Sequence, residues 1–335
     1  MMRKLSLLLV MALTAVACGS PAEETAASAA STTTTATATS TTTTPAATTT
    51  AVERSTTSHG VAEGFPVSVA GVDIADRPVA IVSLSPTATE VLFAIGAGPQ
   101  VTAVDSLSNY PAEAPASALS AFEPNVEAIA GLGPDLVVIS WDPGELAEGL
   151  AALGIPVVNH PGATSFDDAY RQISELGDAT GNQNGAAQLI VTMQADIAAL
   201  VEAFQKPEVA LTYYHEVDDT LYSATSATFV GSIYALFGLE SIADAADPDG
   251  WGFPQLSAEY IIESDPDLIF YGCAIWCGTT PDTIAARPGW GGLTAIDNKT
   301  LTELDDDITS RWGPRLVDFV QLIGWALEAP VGADA

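Results

Sequence analysis

The chain has 335 residues, enough for one or two domains with real cores, and its 48% hydrophobic and 16% charged content marks most of it as globular. Its 42 acidic and 10 basic residues give a formal net charge of -32. That excludes nucleic acid as a partner, because phosphate binding needs a basic surface, and it excludes attachment to anionic lipid through surface charge.

Arg3 and Lys4 followed by the apolar run Leu5 to Ala17 read as an export signal over residues 1–17, too short for a comfortable transmembrane span. The run ends Ala15-Val16-Ala17-Cys18-Gly19, which resembles a bacterial lipoprotein cleavage site with Ala15 in place of the usual Leu. Lipidation of Cys18 would tether the mature chain to the outer face of the cell membrane. An ordinary signal with an incidental cysteine is the alternative. Residues 18–64 are then a lipidated stalk, nearly all Thr, Ala and Ser from Pro21 to Ser58, without the apolar residues a core needs. A coil of about 40 residues spans roughly 35 Å. After the signal, no segment reads as apolar enough, for long enough, to cross a bilayer.

The head begins near Phe65. Val79 to Leu84 reads as a buried strand, and Ser85-Pro86 opens a helix whose first turn suits the proline. Thr87 and Glu90 have capping-box spacing, and Gly96 and Gly98 end the helix. Val101–Val104, Leu136–Ser140 and Ile155–Val158 are further strands, with helical segments between most of them. A long helix runs from about Asn184 to Gln205 on Leu189, Ile190, Met193, Ile197, Leu200, Val201 and Phe204. Strand, helix and strand then recur at Val209–Tyr214, Phe229–Phe237 and Leu268–Tyr271. The alternation predicts an α/β fold with largely parallel sheets.

The two halves also repeat each other. Glu127 lies ahead of Pro134-Asp135-Leu136, which enters a strand, and Glu259 lies at the same spacing ahead of Pro266-Asp267-Leu268, which enters another. The expected organisation is an N-terminal Rossmann-like lobe at 65–183, a linking helix at 184–206, a C-terminal lobe at 207–330, and a ligand cleft between the lobes.

Val82-Ser-Leu-Ser-Pro-Thr-Ala-Thr-Glu90, Asn109-Tyr110-Pro111, Asn125-Val126-Glu127 and Gly133-Pro134-Asp135-Leu136-Val137 resemble the first lobe of the cobalamin and iron-chelate binding proteins of ABC importers. Gly252-Phe253-Pro254-Gln255-Leu256-Ser257-Ala258-Glu259 and Ser310-Arg311-Trp312-Gly313-Pro314-Arg315 resemble the second. The resemblance implies a lipid-anchored, monomeric extracytoplasmic protein that captures a bulky, cobalamin-like chelate and carries it to a permease with ATPase subunits. It implies no catalysis, and no cofactor or metal site beyond the ligand itself. Glu127 and Glu259 match the exposed glutamates that dock on permease arginines; the alternative for each is an acid at a helix N-terminus.

In such a cleft the candidate ligand residues are Phe122, Trp141, Tyr214, His215, Trp251, Phe253, Trp276, Arg311 and Trp312. Aromatic faces suit a flat macrocycle, while core packing is the ordinary alternative for any one of them. Phe253 and Leu107 stand where a cobalamin binder has Trp and Tyr. Arg311 can meet a ligand phosphate or carboxylate, or pair with Asp305, Asp306 or Asp307; Arg315 reads as structural. Cys273 and Cys277 suit a disulfide closing a small loop, with a thiolate metal site as the sharper alternative.

A bare-metal binder would need more ligands than His59, His160 and His215 supply. A ferric siderophore, or haem held by His215, Tyr213 or Tyr214, stays open as the ligand. No nucleophile elbow, phosphate loop or zinc-protease helix is present, so an enzyme is not expected. An adhesive surface lipoprotein is the remaining rival.

Overall fold

The computed structural model describes residues 64–204 and 206–328. The signal, Cys18, the stalk with His59, Gln205 and the final residues lie outside that range. The chain divides into two compact units, and every described residue falls in the second, Ser58–Ala335.

A short antiparallel hairpin opens the described region, with β1 at Val67–Val69 and β2 at Val72–Ile74. Its two-residue turn puts both Ala70 and Gly71 at positive φ, the primed geometry that matches strand twist. The first lobe follows as β3 (Ile81–Leu84), α1 (Pro86–Ala94), β4 (Val101–Val104), α2 (Val126–Ala130), β5 (Leu136–Ile139), α3 (Leu146–Ala151), β6 (Val157–Asn159) and α4 (Phe166–Thr180). The linking helix α5 runs Gln183–Ala203. The second lobe contains β7 (Thr212–Glu216), α6 (Phe229–Ala235), β8 (Glu240–Ser241), α7 (Ala258–Ser264), β9 (Leu268–Tyr271), α8 (Ala274–Cys277), α9 (Pro281–Ala285), α10 (Thr294–Asp297) and β10 (Leu301–Glu303). The short α11 (Asp306–Thr309) leads to α12 (Leu316–Glu328).

Both sheets are parallel and follow one path. The first is ordered β4-β3-β5-β6 and the second β8-β7-β9-β10. In each, the second strand lies outside the first, and the third and fourth continue on its other side. The repeated Pro-Asp-Leu has a structural cause. Asp135 accepts the amides of Val79 and Ala80 at 2.8 and 2.9 Å, just ahead of β3. Asp267 accepts the amide and hydroxyl of Thr212 at 2.8 and 2.9 Å, at the start of β7. Each carboxylate thus clips the third strand of its lobe to the beginning of the first, satisfying donors that the ladder leaves over.

Strands β3, β5 and β9 are buried along their whole length because both faces of the sheets are covered there. Ile81, Leu136 and Val138 of the first sheet and Tyr213, Leu268 and Phe270 of the second enter one shared core with Met193, Ile197 and Phe319 of α5 and α12. Their alternate neighbours enter private cores: Val82, Val137 and Ile139 in the first lobe, Tyr214, Ile269 and Tyr271 in the second. The lobes are therefore joined through packed side chains as well as by the chain. Helix α5 approaches the end of α1 so closely that a Cβ on Gly185 would sit 2.1 Å from the Ile95 carbonyl oxygen. Contrary to the reading from sequence, α5 is long and apolar enough to cross a membrane by length and composition. It instead packs against α4 and α12, burying Ala186, Met193 and Ile197.

Two local expectations change. The N-cap of α1 is Ser85, whose hydroxyl accepts the Ala88 amide, with Pro86 in the first turn. Thr87 is already helical, and Glu90 is wholly occupied by two arginines, so the capping box does not form. Strand β7 runs later than the apolar pattern suggests. Val209 is exposed and outside it, while His215 and Glu216 complete it in buried positions.

Candidate ligand cleft

The carboxyl ends of both parallel sheets open on one cavity of ≈ 1360 Å³. Leu84, Asp105 and Ser140 reach it from the ends of β3, β4 and β5, and Glu216, Gly272 and Glu303 from the ends of β7, β9 and β10. Ligands in open α/β sheets collect at such strand ends, because the loops that follow are free to vary over a rigid frame.

The cavity brings together eight of the nine residues proposed from sequence. Phe122 and Trp141 stand on the first lobe, with Trp251, Phe253 and Trp276 on the second, all solvent-exposed. Trp251 is edge-on to both Tyr222 and Phe253. Trp276 lies on the turn closed by the Cys273–Cys277 disulfide and is 81% exposed. Exposed aromatic surface in a concave site is what a bulky apolar ligand requires.

Tyr214 is the exception. The alternation of β7 points it away from the cleft into the second lobe's private core, against Trp290. Burial raises its hydroxyl far above the ordinary tyrosine value, so it supplies neither ligand contact nor phenolate. His215, on the opposite face, lines the cavity with its Nδ1 2.9 Å from the Tyr234 hydroxyl. Burial lowers its pKa from 6.5 to about 4, so the ring is neutral near pH 7.

Arg311 is at the cavity wall, but its donors are engaged. Its guanidinium donates to Glu90 at 2.8 Å, Asn109 at 3.1 Å, the Leu107 carbonyl at 3.0 Å and Asp307 at 2.6 Å. Arg315 donates to the same Glu90 at 2.6 Å and lies 4.6 Å over the Tyr110 ring. Asn109 in turn donates to Asp307 at 2.6 Å. These contacts tie the first lobe to the segment between β10 and α12. Of the two readings of Arg311, the structure shows the ion pair, with Asp307, and a buried guanidinium with four acceptors has little left to offer a ligand acid. Trp312 is held similarly, its indole donating to Gln172 of α4 at 2.7 Å while the ring borders the cleft.

Sequence reasoning missed the acidic part of the wall: Asp105, Glu216 and Glu303 line the cavity, as do Asp305, Asp306 and Asp307, read from sequence only as partners for Arg311. The run 305–307 directly after a strand was the available signal. Glu216 is fully buried and held bidentately by Arg287 at 2.5 and 2.8 Å, a pairing across 71 residues with no local cue.

Glu127 and Glu259 lie outside the cavity. Each is the second residue of its helix, α2 or α7, after an N-cap of Asn125 or Ser257, and each is exposed. The repeat thus places two like carboxylates at matching positions of the two lobes.

Residues 81–308 match the periplasmic binding protein family, and the chain belongs to it. It is 28% identical to an ABC transporter substrate-binding lipoprotein, YvrC, of Bacillus subtilis, over 81% of this chain and 88% of that one. It is 30% identical to a vitamin B12-binding protein of Pectobacterium carotovorum, over 75% and 89%. The solved vitamin B12-binding protein BtuF of Vibrio cholerae superposes with a TM-score of 0.60 at 25% identity, over 75% of this chain and 96% of that one.

Proposed function

We propose that this chain is the substrate-binding protein of an ABC importer, that it works outside the cytoplasm, and that it captures a bulky metal chelate of the cobalamin type between its lobes. The observation that carries the reading is the aromatic-rimmed ≈ 1360 Å³ cavity at the carboxyl ends of both sheets. Its volume exceeds the roughly 300–1000 Å³ of ordinary small-molecule sites. The relatives named for vitamin B12 and for ABC transport support the same reading. The protein performs no chemistry of its own; it binds, diffuses on a Cys18 lipid tether and docks as a monomer through Glu127 and Glu259, and the transporter's ATPase subunits drive release.

The shared core and the Glu90–Arg311–Arg315 ties favour small lobe movements, since opening would break packed contacts. The test is titration of the full chain with cobalamin, ferric siderophores and haem, followed by tryptophan fluorescence. Saturable quenching by cobalamin is the expected result; binding of a ferric chelate alone would move the ligand within the class. Absence of any chelate binding would favour the adhesion reading. For docking, Glu127→Ala combined with Glu259→Ala is expected to abolish uptake at unchanged ligand affinity, and normal uptake by that variant would refute it. A haem reading has one residue on its side, His215 on the cavity wall. A Soret band lost in His215→Ala would support it.

A further inference from the structure

We infer that the cleft selects for chelates of zero or positive net charge and turns away anionic ones. This inference names the ligand class of the chelate-binding reading above and rests on it.

Six carboxylates line the cavity: Asp105, Glu216, Glu303, Asp305, Asp306 and Asp307. Two are matched by arginines, Glu216 by Arg287 and Asp307 by Arg311. Arg311 is also the one cationic side chain on the wall among the described residues, and its contacts to Glu90, Asn109, Leu107 and Asp307 turn its donors away from a ligand. Asp105, Glu303, Asp305 and Asp306 remain, none in a salt bridge among the described residues.

Asp105 borders the cavity, but both of its carboxylate oxygens are closed off from solvent, close to Ser108 and Arg311, and burial raises its pKa, so it is not the acid a ligand meets. The acids open to a ligand are Glu303 and Asp305, both exposed, and the half-buried Asp306. They fit a ligand that carries amide, hydroxyl or ammonium hydrogens on its periphery. An anionic substituent at the same place would face like charge in a partly desolvated cleft. Exposed Trp141 and Trp251 work in the same direction, since aromatic faces attract cations and repel anions.

The acids do not form a bare-ion site. No group of three or more His, Cys, Asp or Glu side chains converges to hold a metal among the described residues. They are spread along the wall, which suits a large ligand with distributed donors.

The test compares chelates matched in metal and size but not in charge, against the full chain. One pair is cobalamin and its monocarboxylate, in which one peripheral amide is hydrolysed. The other is a ferric trihydroxamate with a free terminal ammonium and the same compound succinylated there, so that +1 becomes -1. Haem, with two propionates, is the fifth probe. In whichever pair binds, the less negative member is expected to bind about tenfold more tightly at low salt, with the ratio shrinking at 0.5 M NaCl. Glu303→Gln, at an exposed position, should narrow that ratio roughly threefold. Equal affinities within a binding pair, tighter binding of the anionic member, or tight haem binding would overturn the inference and leave chelate transport standing. If none of the five binds, the chelate reading falls and this inference with it.

Discussion

The two lobes share a strand order and an aspartate clip, yet each treats its buried glutamate differently. In the second lobe, Glu216 is matched from within, by Arg287 of the same lobe. In the first, Glu90 is met by Arg311 and Arg315, more than 200 residues away, beyond the last strand of the other lobe. Whatever is needed to build one lobe is repeated. What departs from the repeat is the joint between lobes and the cleft wall, where acids after β10 have no counterpart of equal number after β6. Duplicated architecture therefore accounts for the frame, and asymmetry for how the frame is tied and what it binds.

The largest expected effect tests that joint. Glu90→Gln removes the one carboxylate paired with Arg315 and one of the two paired with Arg311, whose side chains are 14% and 4% exposed, so unfolding in urea should show a loss of about 3 kcal/mol. Glu216→Gln strands one arginine that is 21% exposed and can turn to solvent, so a smaller loss is expected. Equal losses would break the distinction between a tie across lobes and a pair within one.

The buried histidines give the next contrast. The His215 pKa is about 4 when folded against 6.5 otherwise, so the folded chain binds fewer protons between those values. Stability should accordingly fall as pH drops below 6.5 and level off near 4, by up to about 3 kcal/mol. His160 in the first lobe is also lowered by burial, but Glu175 at 2.8 Å opposes the shift. His215→Asn should therefore flatten the urea midpoint against pH much more than His160→Asn. The reverse order would mean that the Glu175 contact does not offset burial.

The aspartate clips should behave alike. Asp135→Ala and Asp267→Ala each leave strand-start donors unpaired, and each should cost about 1–3 kcal/mol in the same denaturation measurement. A difference well beyond that range would show that the repeat is one of sequence and not of energetics. The smallest effects belong to Glu127→Ala and Glu259→Ala. As exposed acids in the first turn of short helices they should shift stability by no more than about 0.5 kcal/mol each, so that any loss of uptake is not a loss of fold.

Much of this was legible from the chain. Runs such as Leu136–Ile139 and Leu268–Tyr271 are apolar throughout because both faces are covered, and helical spacing marks α5 between them. The aromatics that follow strand ends were open to the same reasoning, since the end of a parallel strand is a defined place in a lobe. Local pattern and order therefore determined the α/β class, the repeat and most of the cleft's aromatic rim. Only the tertiary structure decided the rest, because it turns on which distant groups meet. Glu90 has a capping residue's spacing and proves to be a buried anchor; Arg311 has a ligand residue's position and proves to be its partner. Tyr214 and His215 are adjacent in sequence, and only the placement of β7 between two cores sends one inward and the other to the cleft. A buried charge has no signature in its own neighbourhood, as its environment is supplied by residues hundreds of positions away.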